Sequence, residues 1–335
     1  RINYGRYFVK YKKIVIWGHP LYSHTHSYIH HCFYKTLSYL GYEVYWFDNS
    51  SHPRPHEFDY KHCLFLTEGF ADQNIPLEET SCYCVMYCPN PNKYIERNCR
   101  YIEIRMIAKE MVDHVQNYNF DPASATKVES QVFYEAKQDA KTRVKNNYTD
   151  IEIDDFEKIY WGWATDLLPH EINFNDIFLP RENCIYFCGT LSDSGVCENM
   201  SSFKPFIQAC HDRNIQFIHN DPWRQPLAFD QVMSLTKRSL LGIDLRGPEH
   251  LKNQLLTCRL FKNVSYGHLG LTNSLAMHAA MDGNCVYNAD TYQLLSDGLD
   301  NKQDYSKIIL GMKFVKENHT YINRLRGLLS IVGDV

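Results

Sequence analysis

The chain has 335 residues, a length that predicts two domains because single domains usually hold about 100–200 residues. Hydrophobic residues make up 44% of the sequence and charged residues 22%, which excludes a wholly disordered chain. The net charge is −4 and no long basic stripe is present, so duplex nucleic acid is not expected as a partner. No apolar run reaches the length of a membrane-spanning helix, about 18 residues, so no membrane span is expected.

Strand and helix patterns alternate in the first half of the chain. An apolar run at residues 13–18 predicts a buried strand, and apolar residues at helical spacing predict a helix over 28–40 that ends before Gly41. Strand, helix and strand in close succession make a βαβ unit, which requires a parallel sheet. The first half is therefore predicted to be Rossmann-like. Its further predicted strands are 43–47, 63–67 and 82–87.

The middle of the chain gives a weaker pattern. A helix is predicted over residues 106–115, and a stretch of alternating charges at 135–158 indicates a solvated helix and loop. Residues 159–163 are interpreted as the last strand of the first domain. Residues 167–180 contain two prolines and are the predicted linker.

The strand, loop, helix and strand order then starts again. Its predicted strands are 184–190, 215–219, 239–245, 269–273 and 284–287, and its predicted helices are 201–213, 255–262 and 305–331. We therefore predict an α/β fold of two facing Rossmann-like domains, with ligands bound in a cleft at the carboxyl ends of their strands. The predicted boundaries are 1–170 for the first domain and 171–312 for the second. Residues 313–335 are predicted to form a terminal helix that packs back on the first domain.

The twelve cysteines are interpreted as free thiols. Most lie inside apolar stretches, where a thiol behaves as a small hydrophobic side chain, and a chain of this size does not need disulfides to fold. Cys82, Cys84 and Cys88 have the spacing of a strand, without a CxxC pair or a second cluster, so no metal site is predicted there. A reducing, cytoplasmic compartment is expected.

Small and basic residues in the second half are typical of a phosphate-binding site. Gly189 and Thr190 end a predicted strand, where a glycine lets backbone N–H groups approach a phosphate. Arg259 and Lys262 are three residues apart on a predicted helix and so share one face, from which they can bind a diphosphate. The alternative is a solvated helix face next to an ordinary turn, and the residues alone do not decide between the two.

Other candidate donor-binding residues lie in the loops around this helix. Arg246 follows the strand predicted at 239–245, where it can reach a base or a ribose, although an ordinary polar loop residue is an equal interpretation. Tyr266 can stack on a base or a sugar. The polar residues that follow the strand predicted at 269–273 either bind the ligand or cap the next helix: Thr272, Asn273 and Ser274.

Residues 255–295 resemble the donor-binding segment of GT-B glycosyltransferases. In that family a helix arginine and lysine contact the nucleotide diphosphate, and here they match Arg259 and Lys262. A Ser/Tyr-Gly turn then leads to a short strand that ends in Thr-Asn, as at Tyr266 and Gly267 and at residues 272–273. The sequence as a whole also resembles glycosyltransferases encoded by large DNA viruses. This resemblance would place the protein in the host cytoplasm.

The resemblance implies GT-B architecture and metal-independent transfer of a hexosyl or pentosyl group. The expected donor is a UDP- or GDP-linked sugar, with no other cofactor, and the expected acceptor is a glycan, a glycoprotein or another hydroxyl compound. Many retaining members carry a glutamate near this segment that has no clear counterpart here, since Glu249 is the nearest acid upstream and Asp282 the nearest downstream. Inversion and retention therefore both stay open.

The first half is expected to bind the acceptor and to supply a base. The loop after its first strand carries His19, His24 and His26, and an imidazole can accept a hydroxyl proton near neutral pH. Inverting members of the resembled family often carry a base histidine in this loop. Glu68, at the end of the third predicted strand, is the rival base, so the candidate catalytic residues are His24, His26 and Glu68. No metal site is predicted, because the sequence shows no acidic or cysteine residue beside these histidines.

Two other functions fit the same architecture. A sugar-nucleotide epimerase needs acid and base groups on both faces of the sugar, and no convincing set of carboxylates is visible in the sequence. A catalytically inactive glycan-binding protein would keep the fold and lose the chemistry.

Overall fold

The computed structural model describes residues 11–88, 90–106, 157–193, 198–222, 224–252 and 255–333. These residues group into two compact units. The described part of the first unit comprises residues 11–105, 157–161 and 324–333, and that of the second comprises residues within 162–323. Apart from Met106, the helix predicted over 106–115 lies outside the described residues, as does nearly all of the charged stretch.

The first unit is built on one six-stranded sheet with the strand order β2-β1-β3-β4-β5-β6. The pairs from β2 through β5 are parallel. Its strands are β1 (Lys13–Trp17), β2 (Val44–Phe47), β3 (Cys63–Glu68), β4 (Cys82–Met86), β5 (Arg100–Met106) and β6 (Glu157–Trp161). Helices α1 (Ser27–Tyr39) and α2 (Asn92–Ile95) connect strands of this sheet.

Strand β1 lies between β2 and β3, and Trp17 is opposite both Phe47 and Thr67. The strand that follows β1 in the chain, β2, thus pairs with one edge of β1, and the next strand, β3, pairs with its other edge. In open parallel sheets, ligands bind beyond the carboxyl ends of the strands at such a switch point. The loop after β1 and the last residue of β3, Glu68, therefore lie at the position where a site is expected.

Aromatic rings fill much of the first unit's core. Trp17, Phe65, Tyr83 and Tyr94 are buried, and the rings of Phe65 and Tyr83 stack with their centroids 4.7 Å apart. Every residue of β3 is buried, which fits a central strand covered on both faces. Part of the aromatic content of the sequence, 14% of all residues, thus serves packing.

The described part of the second unit contains five strands: β7 (Cys184–Cys188), β8 (Gln216–Asn220), β9 (Gly242–Asp244), β10 (Gly270–Thr272) and β11 (Val286–Tyr287). Parallel pairing joins β7 to β8, and β10 to both β9 and β11. The two groups adjoin where the backbone N–H of Leu240 donates to the carbonyl of Cys184, at 2.8 Å. The strands form a two-stranded sheet, β7-β8, and a three-stranded sheet, β11-β10-β9, and β7 is a neighbour of β9. Strand β7 thus lies between β8 and β9, as β1 lies between β2 and β3 in the first unit.

The helices of the second unit cover these strands. They are α3 (Met200–Asp212), α4 (Phe229–Arg238), α5 (Pro248–Lys252), α6 (Cys258–Ser265), α7 (Leu275–Ala280), α8 (Thr291–Asn301) and α9 (Tyr305–Asn318). Helix α3 buries Phe203, Phe206 and Cys210, which share one face because of their helical spacing. Two single-turn 3-10 helices, Pro169–Glu171 and Phe174–Phe178, lie in the segment predicted as a linker.

Several elements differ from the sequence predictions. Strand β5 was not predicted, and Met106, the predicted start of a helix, is its last residue. Helices α4 and α5 were not predicted either. The single terminal helix predicted over 305–331 is two helices, α9 and α10 (Tyr321–Val332). The break is fixed by Asn323, whose Oδ1 accepts hydrogen bonds from the backbone N–H and the hydroxyl of Thr320, at 3.0 and 2.7 Å.

The end of α10 belongs to the first unit. Residues from 324 onward group with that unit, where Leu325 and Leu328 are fully buried and Arg100 donates a hydrogen bond to the carbonyl of Val332. No disulfide joins the eleven cysteines that the structure describes, and most of them are buried. Over the described ranges, no helix combines the length and the apolar character needed to cross a membrane.

Candidate functional site

In the first unit, the loop after β1 and the end of β3 bring two histidines onto one carboxylate. Glu68 is fully buried, and its Oε1 contacts Nε2 of His19. Its other oxygen, Oε2, lies 2.6 Å from Nδ1 of His26. A buried carboxylate is tolerated only when polar partners replace its water. The two imidazoles fill that role by directing N–H groups at Glu68.

These hydrogen bonds keep Glu68 charged. Burial raises the pKa of the Glu68 carboxyl, but the hydrogen bonds from His19 and His26 outweigh burial and hold the pKa well below its ordinary value. When Nδ1 of neutral His26 carries the proton given to Glu68, Nε2 is the basic nitrogen of that ring. A carboxylate that orients an imidazole in this way is a common arrangement for a general base.

His24 joins this group by stacking on the His19 ring. The two rings stack with their centroids 4.0 Å apart, and Nδ1 of His24 accepts a hydrogen bond from the backbone N–H of His26, at 3.1 Å. Burial, together with the charges of His19 and His26, lowers the pKa of His24 to about 4. The three catalytic candidates chosen from the sequence thus lie together, and its lowered pKa makes His24 a weak base.

A fourth histidine supports the loop from helix α1. His30 is fully buried, and its Nδ1 accepts a hydrogen bond from the backbone N–H of His19, at 3.2 Å. Burial lowers the pKa of His30 to about 3. A Cβ atom at Gly18 would overlap the His30 ring, so a glycine is needed where β1 ends. Sequence reasoning did not assign this role, although the pair of histidines at the start of α1 is visible.

Aromatic side chains border this cluster, which we call the His/Glu cluster (His19, His24, His26 and Glu68). The ring of Tyr87 stacks on the His26 ring, with 5.3 Å between centroids and 6° between planes. Tyr87 is exposed, and so is Phe70, which follows Glu68 by two residues in the chain. The exposed Tyr87 ring can stack on a planar or sugar-like face of a bound molecule.

In the second unit, Arg259 of helix α6 reaches the end of strand β7. Its guanidinium lies 4.4 Å from the centre of the Phe187 ring, and its Nε donates to the carbonyl of Cys188, at 3.3 Å. A Cβ atom at Gly189 would overlap both the guanidinium and the Phe187 ring. Gly189 and Arg259, which the sequence analysis selected separately, are therefore direct neighbours.

Lys262 lies one helical turn further along α6. Its Nζ is 2.9 Å from Oδ2 of Asp166, which also accepts hydrogen bonds from the hydroxyl of Tyr266. Burial disfavours the charged form of Lys262, but the Asp166 carboxylate outweighs burial and raises the pKa of Lys262. Tyr266 is itself buried, so its ring supports Asp166 and does not offer the stacking surface that the sequence suggested.

The role expected of Gly189 and Thr190 changes with the structure. The backbone N–H of Gly189 donates to the carbonyl of Asn220, at 3.0 Å, which extends the β7–β8 pairing and removes this donor from any phosphate. The carbonyl of Thr190 accepts a hydrogen bond from the side chain of Asn199. Helix α3 begins only at Met200, so its N-terminus does not follow directly on the glycine. Gly189 contributes space for Arg259.

The remaining donor-site candidates are buried and bonded to one another. Arg246 pairs with Asp244 through its Nε, at 3.0 Å. Asn273 bonds the backbone N–H and carbonyl of Arg246, at 2.8 and 3.0 Å. The Thr272 hydroxyl donates to Asp244, and Ser274 caps helix α7 by accepting the N–H of Met277. Oδ1 of Asp244 also lies 3.9 Å from Nη1 of Arg259, so this buried network adjoins Arg259. For Ser274, the helix-capping alternative holds.

Neither a protein-family model nor a curated protein matches this sequence. Solved structures do match. The phage T4 β-glucosyltransferase in complex with its substrate UDP-glucose aligns over 96% of this chain and 100% of its own, with 10% identity and a TM-score of 0.50. A structure of the DNA-modifying enzyme β-glucosyltransferase, in the presence and absence of UDP-glucose, aligns over 96% and 99%, with 10% identity and a TM-score of 0.51.

The chain shares their fold. The α/β class, the two Rossmann-like units and the GT-B architecture predicted from the sequence are confirmed. At 10% identity, the likeness concerns the fold alone, and the roles of individual residues have to be argued from this chain's own side chains.

Proposed function

We propose that the protein is a glycosyltransferase that moves a sugar from a nucleotide-diphosphate donor to a hydroxyl group. The observation that carries the proposal is the position of Arg259, beside Gly189 at the carboxyl end of β7, with Lys262 on the same face of α6. The fold likeness supports the same class of donor, since a neighbour binds UDP-glucose. For that reason a UDP-linked sugar is the first donor to test.

The second unit is proposed to bind the donor diphosphate. Arg259 and Lys262 each keep about a quarter or less of the side chain exposed. Their cations are therefore partly shielded from water, which strengthens their attraction for phosphate oxygens. As the glycosidic bond breaks, the diphosphate leaves with the bonding electron pair, and two fixed cations stabilise the charge that develops.

The His/Glu cluster is proposed to act on the acceptor. His26, oriented by Glu68, takes the proton of the acceptor hydroxyl at Nε2 while the hydroxyl oxygen forms a bond to the anomeric carbon of the sugar. Glu68 stabilises the resulting imidazolium through the hydrogen bond at Nδ1. This chemistry needs no covalent intermediate on the protein, so it favours inversion.

The acceptor is proposed to be a glycan or another hydroxyl compound. The net charge of −4 does not favour nucleic acid. One structural neighbour is nevertheless a DNA-modifying enzyme, so hydroxylated DNA belongs in any acceptor screen as a separate arm.

Donor binding tests the proposal directly. Arg259→Ala should raise the Kd for UDP-glucose by at least about tenfold, because a charge-assisted hydrogen bond contributes roughly 1.5–3 kcal/mol. The matched control is Arg238→Ala, which removes an exposed arginine that pairs with Glu182 on another surface of the unit. Calorimetric titration of both variants with UDP-, GDP- and dTDP-sugars gives the comparison. Unchanged affinity in Arg259→Ala for every donor bound by the wild type would overturn the assignment.

A further inference from the structure

We propose that His19, His24 and Glu68 form a binding site for one divalent transition-metal ion of the zinc type. One side-chain nitrogen or oxygen from each residue lies within 4.8 Å of the others. Two imidazoles and one carboxylate are a common ligand set for zinc sites that keep the fourth position open. Magnesium and calcium prefer oxygen ligands, so the two nitrogen donors select a transition metal.

The distances leave little rearrangement to be made. In a tetrahedral zinc site with ligand bonds near 2.0–2.1 Å, the ligand atoms are roughly 3.4 Å apart. Nε2 of His19 already contacts Oε1 of Glu68, so a metal ion would take the place of the proton that these atoms share. The proton of the neutral His19 ring would then lie on Nδ1, and the charge of the ring would not change.

Glu68 is the ligand whose position is most constrained, and it supplies the negative charge of the site. It ends a fully buried strand whose register with β1 is set by parallel pairing, so its carboxylate cannot move far. A negative charge buried in this way favours a cation beside it. Metal binding at Oε1 leaves Oε2 bonded to Nδ1 of His26, at 2.6 Å. His26 would therefore lie next to the metal as a positioned second group.

Metal binding would cost His24 one hydrogen bond. Its Nδ1 accepts the backbone N–H of His26, at 3.1 Å. That hydrogen bond is lost whichever nitrogen binds the metal, since Nδ1 then either coordinates the ion or carries the ring proton. The loss is small beside a metal–nitrogen bond, and the stacked rings of His19 and His24 already hold the two residues together.

The sequence argument against a metal rested on the missing acid beside the histidines. Glu68 supplies that acid from 49 residues beyond His19, through the pairing of β3 with β1. The site does not depend on the proposed transferase activity, because it stands on the positions of three side chains.

The test is a titration of chelator-treated protein with Zn²⁺ and with Co²⁺, without nucleotide or acceptor. We expect one saturable site, and Co²⁺ should give visible bands of low coordination number without the sulfur charge-transfer absorption that cysteine ligands would produce. His19→Gln and His24→Gln should each weaken binding by at least about 100-fold. His56→Gln, which changes an exposed histidine outside the cluster, should bind as the wild type does.

His24 is partly exposed, so His24→Gln should fold normally, and its thermal unfolding without metal checks this. Absence of a saturable site, equal binding by wild type and His24→Gln, or a sulfur charge-transfer band would each overturn the proposal. Because no sugar donor takes part, such a result leaves the transferase assignment in place. Loss of donor binding in the Arg259 experiment would likewise leave the metal site in place.

Discussion

Nδ1 of His26 lies 2.6 Å from Oε2 of Glu68, although 42 residues separate them in the chain. The contact exists because parallel pairing places the end of β3 beside the end of β1, where the loop with His26 begins. One hydrogen bond thereby joins the loop after β1 to the end of β3 at the switch point of the first unit. A buried acid and a partly exposed imidazole at that position form a base that the fold itself orients.

Replacement of His26 should affect the chemical step more than donor binding. His26→Ala removes the group proposed to take the acceptor proton, so kcat should fall by about 10²–10⁴-fold, the usual contribution of a general base. The Kd for the nucleotide sugar should stay within about twofold of the wild-type value. Steady-state kinetics and calorimetry measure the two quantities, with His56→Ala as the control. A kcat equal to that of the wild type would remove His26 from the mechanism.

Replacement of Glu68 by its amide should lower stability. In Glu68→Gln, an NH₂ group faces one of the two imidazole N–H groups, so a buried donor loses its acceptor. Such a mismatch costs about 1–3 kcal/mol. Urea denaturation at neutral pH, in the presence of a chelator, measures the change in the free energy of unfolding. If the variant were as stable as the wild type, the two hydrogen bonds at Glu68 would not be the ones described.

Two glycine substitutions should separate donor binding from backbone strain. In Gly189→Ala, the new methyl group meets Arg259 and the Phe187 ring, so the guanidinium must move and donor affinity should fall about tenfold or more. Gly41→Ala is the control: no atom lies within 4 Å of its Cβ, but its φ of +87° strains any other residue. It should lose about 1 kcal/mol of stability with unchanged donor affinity. Equal donor affinity in both variants would refute the proposed contact between Gly189 and the donor-binding Arg259.

The buried histidine His268 should make the protein less stable in mild acid. Burial, with the charges of Arg181 and Lys237 nearby, lowers the pKa of His268 to about 3, whereas an unfolded histidine titrates near 6.5. Between these two values only the unfolded chain takes up the proton, so the stabilising contribution is complete above about pH 6.5 and is lost as the pH falls.

From pH 7 to pH 5, this single residue should account for about 2 kcal/mol of the decrease in unfolding free energy. Denaturation of the wild type and of His268→Gln at both pH values measures the difference. The variant should lose less stability over this interval. Parallel decreases in the two proteins would show that His268 is not kept neutral by the fold.

The alternation of strands and helices was predictable because buried strands and amphipathic helices leave different hydrophobic periods. The ends of the strands could also be found, and this is why His26, Glu68 and Gly189 were selected at all. Which of them meet could not be read from the sequence, since the contacts depend on strand order and register. The separation of His26 from Glu68 along the chain shows this most directly.

The donor site shows a different limit of sequence reasoning. Thr272, Asn273 and Arg246 are polar, and nothing in their spacing reveals that they are buried and satisfy one another beside Asp244. Asp166, which pairs with Lys262, lies just before the segment predicted as a linker and belongs to no motif in the sequence. Burial of polar residues results from tertiary pairing, so a polar loop residue in the sequence can be either a ligand contact or a support.

Residues 324–333 complete the first unit, yet they follow the whole second unit in the chain. A ribosome must therefore synthesise residues 162–323 before Leu325 and Leu328 can be buried and before Val332 can reach Arg100. The second unit can form all its contacts during translation. The first unit stays a partly folded intermediate until residues 324–333 have been synthesised. Expression of residues 11–161 alone would leave that intermediate permanently incomplete, so a soluble first unit calls for a circularly permuted gene that restores α10.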